Sequence, residues 1–368
     1  MHTHAPVSTK QEKLPAEEEV REVAPGVLRA QLPINLPGLG HVNCYILEDD
    51  KGIALVDPGL PGPTFWMTLN KRLKSAGLSA KRVHTVVVTH SHPDHYGASE
   101  MLRRTSGAEL VTYQSFKTWW DPAEEDDTEK ELARSREAQL SAIERLQELR
   151  KNWRLGPNWK RQTPWGGAHP MPPRKVRAKY VALSVAGRRF LQPPRPSRRV
   201  VDGEVLRLGG KEWLSVYTPG HTIDHLCLFE PNDGVFMTGD HLLPNITPHI
   251  SGLTTQDDAL KSFFDSLERT HDMSEIKIAL PAHGNTFTNV GERVRDIQRH
   301  HRERLQLLRD AAADLHEGTV EQFSQRLFKP VAWGPMADSE TFAHLEHLRL
   351  TGEATCKSVD GELRFTIV

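Results

Sequence analysis

The sequence of 368 residues predicts a layered α/β fold followed by a smaller helical unit. Two observations lead to this class. Short apolar, β-branched runs of the kind that form buried strands recur along the chain, and several of them end in a loop that contains His or Asp. Open α/β layers usually carry their chemistry on the loops that follow strands. A chain of this length exceeds what one core usually holds, so we expect one large domain and a smaller one.

The first third of the chain predicts the order strand, strand, helix, strand. Two apolar runs flank a polar turn over residues 44–56, which is the pattern of a β-hairpin. Helical spacing of apolar side chains predicts a helix over 64–76 that ends near Gly77. The β-branched stretch 83–88 then predicts a buried strand, and the loop that leaves it is rich in histidine.

A second block repeats this style after residue 200. Strands are predicted at 213–217, 234–238 and 276–280. Each of these runs is followed by a loop that contains His or Asp, so candidate chemistry again lies just beyond the strands.

The C-terminal part predicts helices and then a hairpin. Apolar residues over 294–315 step by three and four, which predicts a helix whose stripe includes His301. Thr319 opens a capping box for a second helix, and Ser339 is a candidate cap for a third. The turn pair Asp360-Gly361 lies between two extended runs, as in a hairpin. This order resembles a small winged-helix unit, and without a concentrated basic face it favours packing or dimerisation over DNA binding.

Charge and composition argue against several classes of protein. Lys and Arg number 47 against 48 Asp and Glu, and this formal net charge of -1 disfavours a surface built as a whole for nucleic acid or anionic lipid. No apolar stretch approaches the length of a membrane span, and the polar N-terminus resembles neither a secretory signal nor an anchor. Cys44, Cys227 and Cys356 form no CxxC pair, which fits a reducing compartment, so we expect the protein in the cytoplasm.

An insertion over residues 120–200 separates the two blocks. Its first part, 123–150, is highly charged with apolar residues at helical intervals, which predicts a long exposed helix. The stretch 150–201 contains fourteen Lys or Arg, eight Pro and three Trp, and neither Asp nor Glu. Three interpretations stay open: a solvated loop without a ligand, a lid that attracts an anionic small molecule, and a nucleic-acid track on which the tryptophans stack with bases.

The most informative run is Thr-His-Ser-His-Pro-Asp-His at residues 89–95. It places four metal-capable side chains within six residues, namely His90, His92, Asp94 and His95. Imidazole and carboxylate ligands together suit zinc, iron or manganese, and the absence of a nearby cysteine disfavours a closed structural zinc site. The sequence therefore predicts a metal site on this loop.

Three later loops each offer one further candidate ligand after a strand, and these are His221, Asp240 and His283. A lone His or Asp in such a place is commonly structural, so the order and spacing of the set carry the argument. Together with the run Leu-Val-Asp-Pro-Gly at 55–59, the pattern HxHxDH and its later partners resemble the metallo-β-lactamase superfamily from about residue 23 to 290. The runs 36–45 and 299–305 are similar to the glyoxalase-II-like and lactamase-β2-like branch of these hydrolases.

The resemblance implies a domain plan. Residues 1–22 would form an N-terminal tail, residues 23–290 an αββα sandwich with the charged insertion as a lid, and residues 291–368 a helical, winged-helix-like domain. The last of these would pack against the sandwich or pair two protomers in a homodimer.

The resemblance also implies two divalent ions, most simply zinc, with iron or manganese as alternatives. His90, His92 and His221 would hold one ion, and Asp94, His95 and His283 would hold the other. Asp240 would bridge them, which makes Asp94 and Asp240 the candidate catalytic carboxylates. Asp57 would orient ligand histidines through hydrogen bonds, and His225 is a candidate contact of the substrate or of a ligand residue. His241, which follows the bridging carboxylate, is expected to be structural.

The activity implied by this family is hydrolysis by a hydroxide held between two ions. The basic insertion favours a thioester or ester of an anionic small molecule, such as an acyl-glutathione or acyl-CoA. A lactonase, a metal-dependent nuclease acting on RNA, an iron-dependent persulfide dioxygenase with a single ion and a binding protein without catalysis remain as alternatives. His92 stands where flavodiiron-type oxidases have Glu, which sets that branch aside.

Overall fold

The computed structural model describes residues 10–36, 38–118, 163–167 and 194–368. The helix predicted at 123–150 and most of the basic stretch 150–201 lie outside these residues.

In the described part of the chain, strands form three sheets. The strands are β1 Arg21–Ala24, β2 Val27–Leu36, β3 Leu39–Asp49, β4 Gly52–Val56, β5 Val83–Val87, β6 Glu109–Tyr113, β7 Arg198–Val200, β8 Val205–Leu208, β9 Lys211–Tyr217, β10 Leu226–Glu230, β11 Val235–Gly239, β12 Ile278–Pro281, β13 Gly318–Thr319, β14 Ala354–Val359 and β15 Glu362–Ile367. The first sheet follows chain order from β1 to β7, the second has the order β12-β11-β10-β9-β8, and the third β13-β15-β14.

Helices cover the sheets and make up most of the C-terminal part. They are α1 Pro63–Ser75, α2 Pro93–Tyr96, α3 Ser99–Ser106, α4 Ala259–Asp272, α5 Val290–Leu315, α6 Val320–Leu327 and α7 Pro335–Leu350. Single 3-10 turns occur at Gln11–Lys13, Ala80–Arg82 and Pro330–Ala332. Among the described residues, no helix is long and apolar enough to cross a membrane.

The strands and helix predicted for the first third are confirmed. β3 and β4 form the expected antiparallel hairpin, with Asp49 opposite Gly52 at the turn. The predicted helix at 64–76 is α1, which has Pro63 in its first turn, where the missing amide hydrogen costs nothing. β4 and β5 pair in parallel, as do β5 and β6, so the sheet is mixed.

The two large sheets pack face to face. One buried apolar cluster takes Val56 and Val87 from the first sheet and Trp213, Leu228 and Met237 from the second. Strand β4 is buried along its whole length, because its other face packs against helices. Apolar residues of α1 and α3 pack against the outer face of the first sheet, while α4 and α5 cover the second sheet. This layering leaves the carboxyl ends of several strands at one edge of the molecule.

The C-terminal unit has the order α5, β13, α6, α7, β14, β15. The capping box at Thr319 is confirmed. Thr319 Oγ1 accepts from the Gln322 amide, and the side-chain oxygen of Gln322 accepts from the Thr319 amide. The hairpin is confirmed as well, with both turn residues Asp360 and Gly361 at positive φ. The prediction that Ser339 caps the third helix is wrong: α7 begins four residues earlier at a proline, and Ser339 lies buried inside it.

Part of the segment predicted as an N-terminal tail is packed. Glu12 is fully buried, and its carboxylate accepts hydrogen bonds from the amides of Asn245 and Ile246 at 2.6 and 3.0 Å. His41 donates through Nδ1 to the carbonyl of Leu14 at 2.8 Å. Residues 10–14 thus lie against the loop that follows β11.

Candidate metal centre

Five loops at the carboxyl ends of strands bring the predicted site residues together. Asp57 follows β4, the run 89–95 follows β5, His221 follows β9, Asp240 follows β11 and His283 follows β12. The nitrogen and oxygen atoms of the seven predicted ligands form two groups, each with its atoms within 4.8 Å of one another. The groups are His90, His92, His221 and Asp240, and Asp94, His95 and His283.

Three imidazole nitrogens converge in the first group. His92 Nδ1 lies 2.9 Å from His90 Nε2 and 3.1 Å from His221 Nε2. His221 donates its Nδ1 hydrogen to the carbonyl of His249 at 2.7 Å, and His90 Nδ1 lies 3.0 Å from Thr89 Oγ1. The two Nε2 atoms therefore turn lone pairs toward His92 Nδ1, where one proton could satisfy only one of them.

Asp240 reaches both groups. Its Oδ2 lies 3.5 Å from His221 Nε2 and 3.7 Å from His95 Nε2, and its Oδ1 lies 3.3 Å from His283 Nε2. Asp94 Oδ2 completes the second group at 3.6 Å from His95 Nε2 and 3.7 Å from His283 Nε2. A carboxylate that approaches imidazoles of both groups is in the position of a bridge.

The donor atoms of this cluster would be satisfied better by a metal ion than by hydrogen bonds to one another. The Nε2 atoms of His95 and His283 and Oδ1 of Asp240 are buried and make no hydrogen bond. A buried polar group without a partner costs about 1–3 kcal/mol, so three at one point are expensive unless a cation satisfies them. Imidazole and carboxylate donors without a thiolate suit zinc, iron or manganese.

Asp57 holds ligands of both groups from behind. Its Oδ2 accepts hydrogen bonds from His95 Nδ1 and from Thr89 Oγ1, both at 2.8 Å, and its Oδ1 accepts from the Thr89 amide at 2.9 Å. Because the Thr89 hydroxyl donates to Asp57, it is free to accept from His90 Nδ1. One buried carboxylate thus fixes the ring orientation of His95 directly and of His90 through Thr89.

Backbone carbonyls fix two further ligands, and sequence reasoning missed them. His221 donates to the carbonyl of His249, and His283 donates through Nδ1 to the carbonyl of His41 at 2.6 Å. Any residue type supplies a carbonyl, so the sequence contains no signal for these partners. Glu12, which is buried beside the same loops, was missed because it lies in a polar stretch that resembles a tail.

The structure places His225 and His241 behind the ligands. His225 is fully buried, stacks on His90 with ring centroids 5.1 Å apart, and accepts from the Asp240 amide through Nε2 at 3.0 Å. It therefore supports Asp240 and contacts a ligand. His241 points away from the cluster and lies 2.9 Å from Thr270 Oγ1, which agrees with its expected structural role.

The two groups differ in electrostatics. Burial lowers the pKa of His92 to about 3, with the neighbouring His221 adding to the effect, and burial also lowers the pKa of His90 and His221. Burial alone would lower the pKa of His95, but the charges of Asp94, Asp57 and Asp240 raise it to about 10. Without metal, the three imidazoles of the first group are neutral, whereas His95 in the second group carries a proton that the neighbouring carboxylates stabilise.

A family model supplies the deciding comparison. The model described as "Metallo-beta-lactamase superfamily" matches residues 37–283, which is more than half of the chain. The chain belongs to the metallo-β-lactamase superfamily. The α/β architecture with two mixed sheets is therefore the fold of this superfamily, and the His and Asp clusters are consistent with a metal site typical of it.

Solved structures of the superfamily support the same fold. A metallo-beta-lactamase family protein from Thermus thermophilus is 26% identical, with a TM-score of 0.67, over 94% of this chain and 99% of that one. A beta-lactamase domain protein from Burkholderia ambifaria is 24% identical, with a TM-score of 0.70, over 99% and 96%. Both matches cover nearly all of this chain, so the similarity extends beyond the sandwich.

Curated relatives match a smaller part. An atrochrysone carboxyl ACP thioesterase from Aspergillus novofumigatus is 31% identical over 124 residues, which is 33% of this chain and 36% of that protein. A protein of the same description from Aspergillus chevalieri is 31% identical over 115 residues, or 31% and 35%. The chain thus matches about a third of the length of these superfamily thioesterases.

Proposed function

We propose that this protein is a dinuclear metal-dependent hydrolase of thioesters or esters. The observation that carries the proposal is the position of Asp240, whose carboxylate lies within 3.7 Å of imidazoles from both ligand groups. Zinc is the ion proposed for both groups, and iron or manganese would suit the same donors.

The chain's own residues would divide the work of the reaction. His90, His92 and His221 would hold one ion, Asp94, His95 and His283 the other, and Asp240 would keep both at a fixed separation. When bound, the ions would make water a nucleophile near neutral pH and stabilise the charge that develops on the carbonyl oxygen. Asp57 would keep two ligand rings in place throughout. No serine or cysteine nucleophile is required.

A thioester of an anionic carrier is the proposed substrate. The similarity to ACP thioesterases over a third of the chain favours thioester chemistry. The fourteen cations at 150–201, with no acidic residue among them, favour an anionic group on the substrate. Acyl-CoA, acyl-glutathione and an acyl carrier protein thioester are the compounds to compare.

Metal analysis of the purified protein, combined with a panel of thioesters, lactones, phosphodiesters and persulfides, tests the proposal. We expect about two ions per chain and turnover of thioesters. One iron per chain with oxygen uptake would overturn it in favour of a persulfide dioxygenase, and turnover of lactones alone would redirect it to cyclic esters. Cleavage of RNA with a steep loss of binding at higher salt would point to a nuclease.

The C-terminal unit is proposed to be winged-helix-like, because helix, strand, two helices and a hairpin follow one another in that order. A role in pairing two protomers and a cytoplasmic location remain predictions of the sequence. Gel filtration with light scattering would decide the first, and fractionation of the source cells the second.

A further inference from the structure

The segment that joins Asp240 to α4 is held by the C-terminal helices. Arg293 of α5 donates through Nε to the carbonyl of Leu243 at 2.6 Å and through Nη2 to that of Ile246 at 2.7 Å. These bonds fix the part of the segment that follows directly from Asp240. The same segment ends at Asp258, which caps α4.

Helix α7 holds the later part of this segment. The Gly252 amide donates to both the carbonyl and the hydroxyl of Ser339, at 3.1 and 3.0 Å. The approach is so close that a Cβ on Gly252 would lie 2.6 Å from the Ser339 carbonyl oxygen and 2.7 Å from the Phe342 ring. The segment therefore touches α7 through its backbone at this point.

A chain of contacts runs from α5 and α7 to the candidate ligand His221. Arg304 of α5 lies 2.5 Å from Glu340 Oε1, and His249 donates through Nδ1 to Glu340 Oε2 at 3.3 Å. The carbonyl of the same His249 accepts from His221 Nδ1. Glu340 is only 9% exposed, so this pair of contacts is shielded from solvent.

We propose that Glu340 is a positioning residue for His221, acting through His249. The inference rests on the proposed function, because it takes His221 as a metal ligand. The direction of the His249 carbonyl sets the angle of the His221 ring, and Glu340 anchors the side chain of that residue to α7. Loss of a group that bonds directly to a ligand residue typically weakens metal affinity about 10- to 100-fold, and Glu340 acts one contact further out. The C-terminal helices would thus be part of the metal site and not an appended unit.

A second interpretation of these residues is a separate ion at His301, Glu340 and His344, whose donor atoms lie within 4.8 Å of one another. Hydrogen bonds account for most of those atoms. His344 donates through Nδ1 to the Glu340 carbonyl at 2.7 Å, and its Nε2 lies 3.0 Å from His301 Nδ1. Because Arg304 already pairs with the Glu340 carboxylate, a metal ion would gain little binding energy there. We therefore assign Glu340 to the anchor, and His301 and His344 to the packing of α5 against α7.

Three variants test the proposal in the full-length protein. Glu340→Ala removes the anchor, Glu340→Gln keeps an oxygen that can accept from His249, and Gly252→Ala forces the segment away from α7 without touching Glu340. Glu353→Ala is the matched control, because it removes another contact of α5, with Arg309 at 2.8 Å, far along the chain from the ligand loops. Zinc affinity is measured by competition with a chelator, together with the unfolding temperature, kcat and KM.

We expect Glu340→Ala and Gly252→Ala to weaken the binding of one of the two zinc ions by about tenfold, the low end of the range for direct partners. Glu340→Gln should restore part of this affinity, and Glu353→Ala should leave the affinity for both ions unchanged. Unchanged affinity for both ions in Glu340→Ala and Gly252→Ala would overturn the proposal, even if both variants are less stable. A third zinc in the wild-type protein that is lost in Glu340→Ala would overturn it in favour of a separate site. If no substrate is turned over, the proposed function fails, but zinc affinity still decides the positioning role.

Discussion

Among single residues, Asp57 shows how one carboxylate serves two ligand groups. It lies at positive φ, 56°, at the end of β4, and accepts three hydrogen bonds from Thr89 and His95. Positive φ is uncommon outside glycine but is tolerated by Asp and Asn. The backbone at this position therefore permits a test that changes the side-chain charge without forcing a new loop conformation.

Asp57→Asn should weaken zinc binding by both groups, about 10- to 100-fold each. Asparagine has only one acceptor oxygen, so it cannot receive all the hydrogen bonds that orient His95 and Thr89. Thr89→Val provides the contrast, because it should weaken zinc binding only by the group that contains His90. Chelator competition measures both ions, and unchanged affinity in Asp57→Asn would show that the ligand rings need no such support.

Asp240→Ala should abolish turnover of the true substrate while leaving the fold largely intact. The variant removes the only described carboxylate that faces both ligand groups, and with it the fixed separation of the two ions. Turnover, zinc content and circular dichroism would be measured together. Near-normal activity in a folded Asp240→Ala protein would count heavily against a dinuclear mechanism.

Acidification should release the two ions at different pH. The pKa of His95, raised to about 10 by the surrounding carboxylates, means that this side chain carries a proton near neutral pH in the metal-free protein, so zinc must displace that proton. Affinity at that group should fall about tenfold per pH unit between about pH 8 and about pH 6. The lowered pKa values of His90, His92 and His221 predict little change there.

His92→Ala and Asp94→Ala, each of which leaves one group complete, allow the two affinities to be measured separately. If zinc affinity depended on pH in the same way in both variants, the predicted difference in protonation between the two groups would be wrong. The measurement needs only metal binding, so it does not depend on finding the substrate.

Among the elements, helix α5 carries a stripe of buried residues, and His301 is one of them. Its ring is fully buried, packs edge-on against Phe263 at a centroid distance of 5.5 Å, and lies near Phe264. Its Nδ1 lies 3.0 Å from His344 Nε2 on α7. The residue therefore joins α5 to both α4 and α7.

His301→Ala should lower the free energy of unfolding by about 2 kcal/mol or more, because it leaves a cavity among aromatic rings and removes a hydrogen-bond partner. Zinc content should not change, since the contact between Glu340 and His249 stays in place. Urea unfolding of His301→Ala beside His300→Ala, its half-buried neighbour, gives the comparison. Loss of zinc with unchanged stability would contradict this role.

In the molecule as a whole, the metal site lies across the two large sheets. The first sheet supplies His90, His92, Asp94 and His95 on the loop after β5, and the second supplies His221, Asp240 and His283. Each ligand group takes members from both sheets, so neither sheet alone forms a complete group. Assembly of the site therefore depends on the packing of the sheets.

Neutralising the cations of the insertion should reduce activity on anionic substrates only. Replacement of the Lys and Arg residues from Arg174 to Arg199 by Gln is expected to lower kcat/KM for acyl-CoA and acyl-glutathione by about tenfold or more, mainly through slower association. A neutral thioester should be affected little and serves as the control. Unchanged kcat/KM for the anionic substrates would show that the insertion does not select them.

Local patterns in the chain were enough to predict many of its elements, and the family resemblance then named seven candidate ligands. Alternation and helical spacing predicted the hairpin at 44–56, helix α1 and the stripe of α5, because these patterns arise from local geometry. The seven metal-capable side chains were identified because ligands are side chains and their spacing is visible in the chain. The cap of α7 was predicted wrongly, since a proline competed with Ser339 for the start of that helix.

The groups that support the ligands became visible only in the folded protein. The carbonyls of His41 and His249, the buried Glu12 and the contact of Glu340 with His249 join residues far apart in the chain. Backbone carbonyls are common to all residue types, and burial of a charged side chain depends on what packs over it, so neither is visible in a single sequence. The candidate ligands could be named from motifs in the chain, whereas their orientation follows from the packing of the sheets and the C-terminal helices.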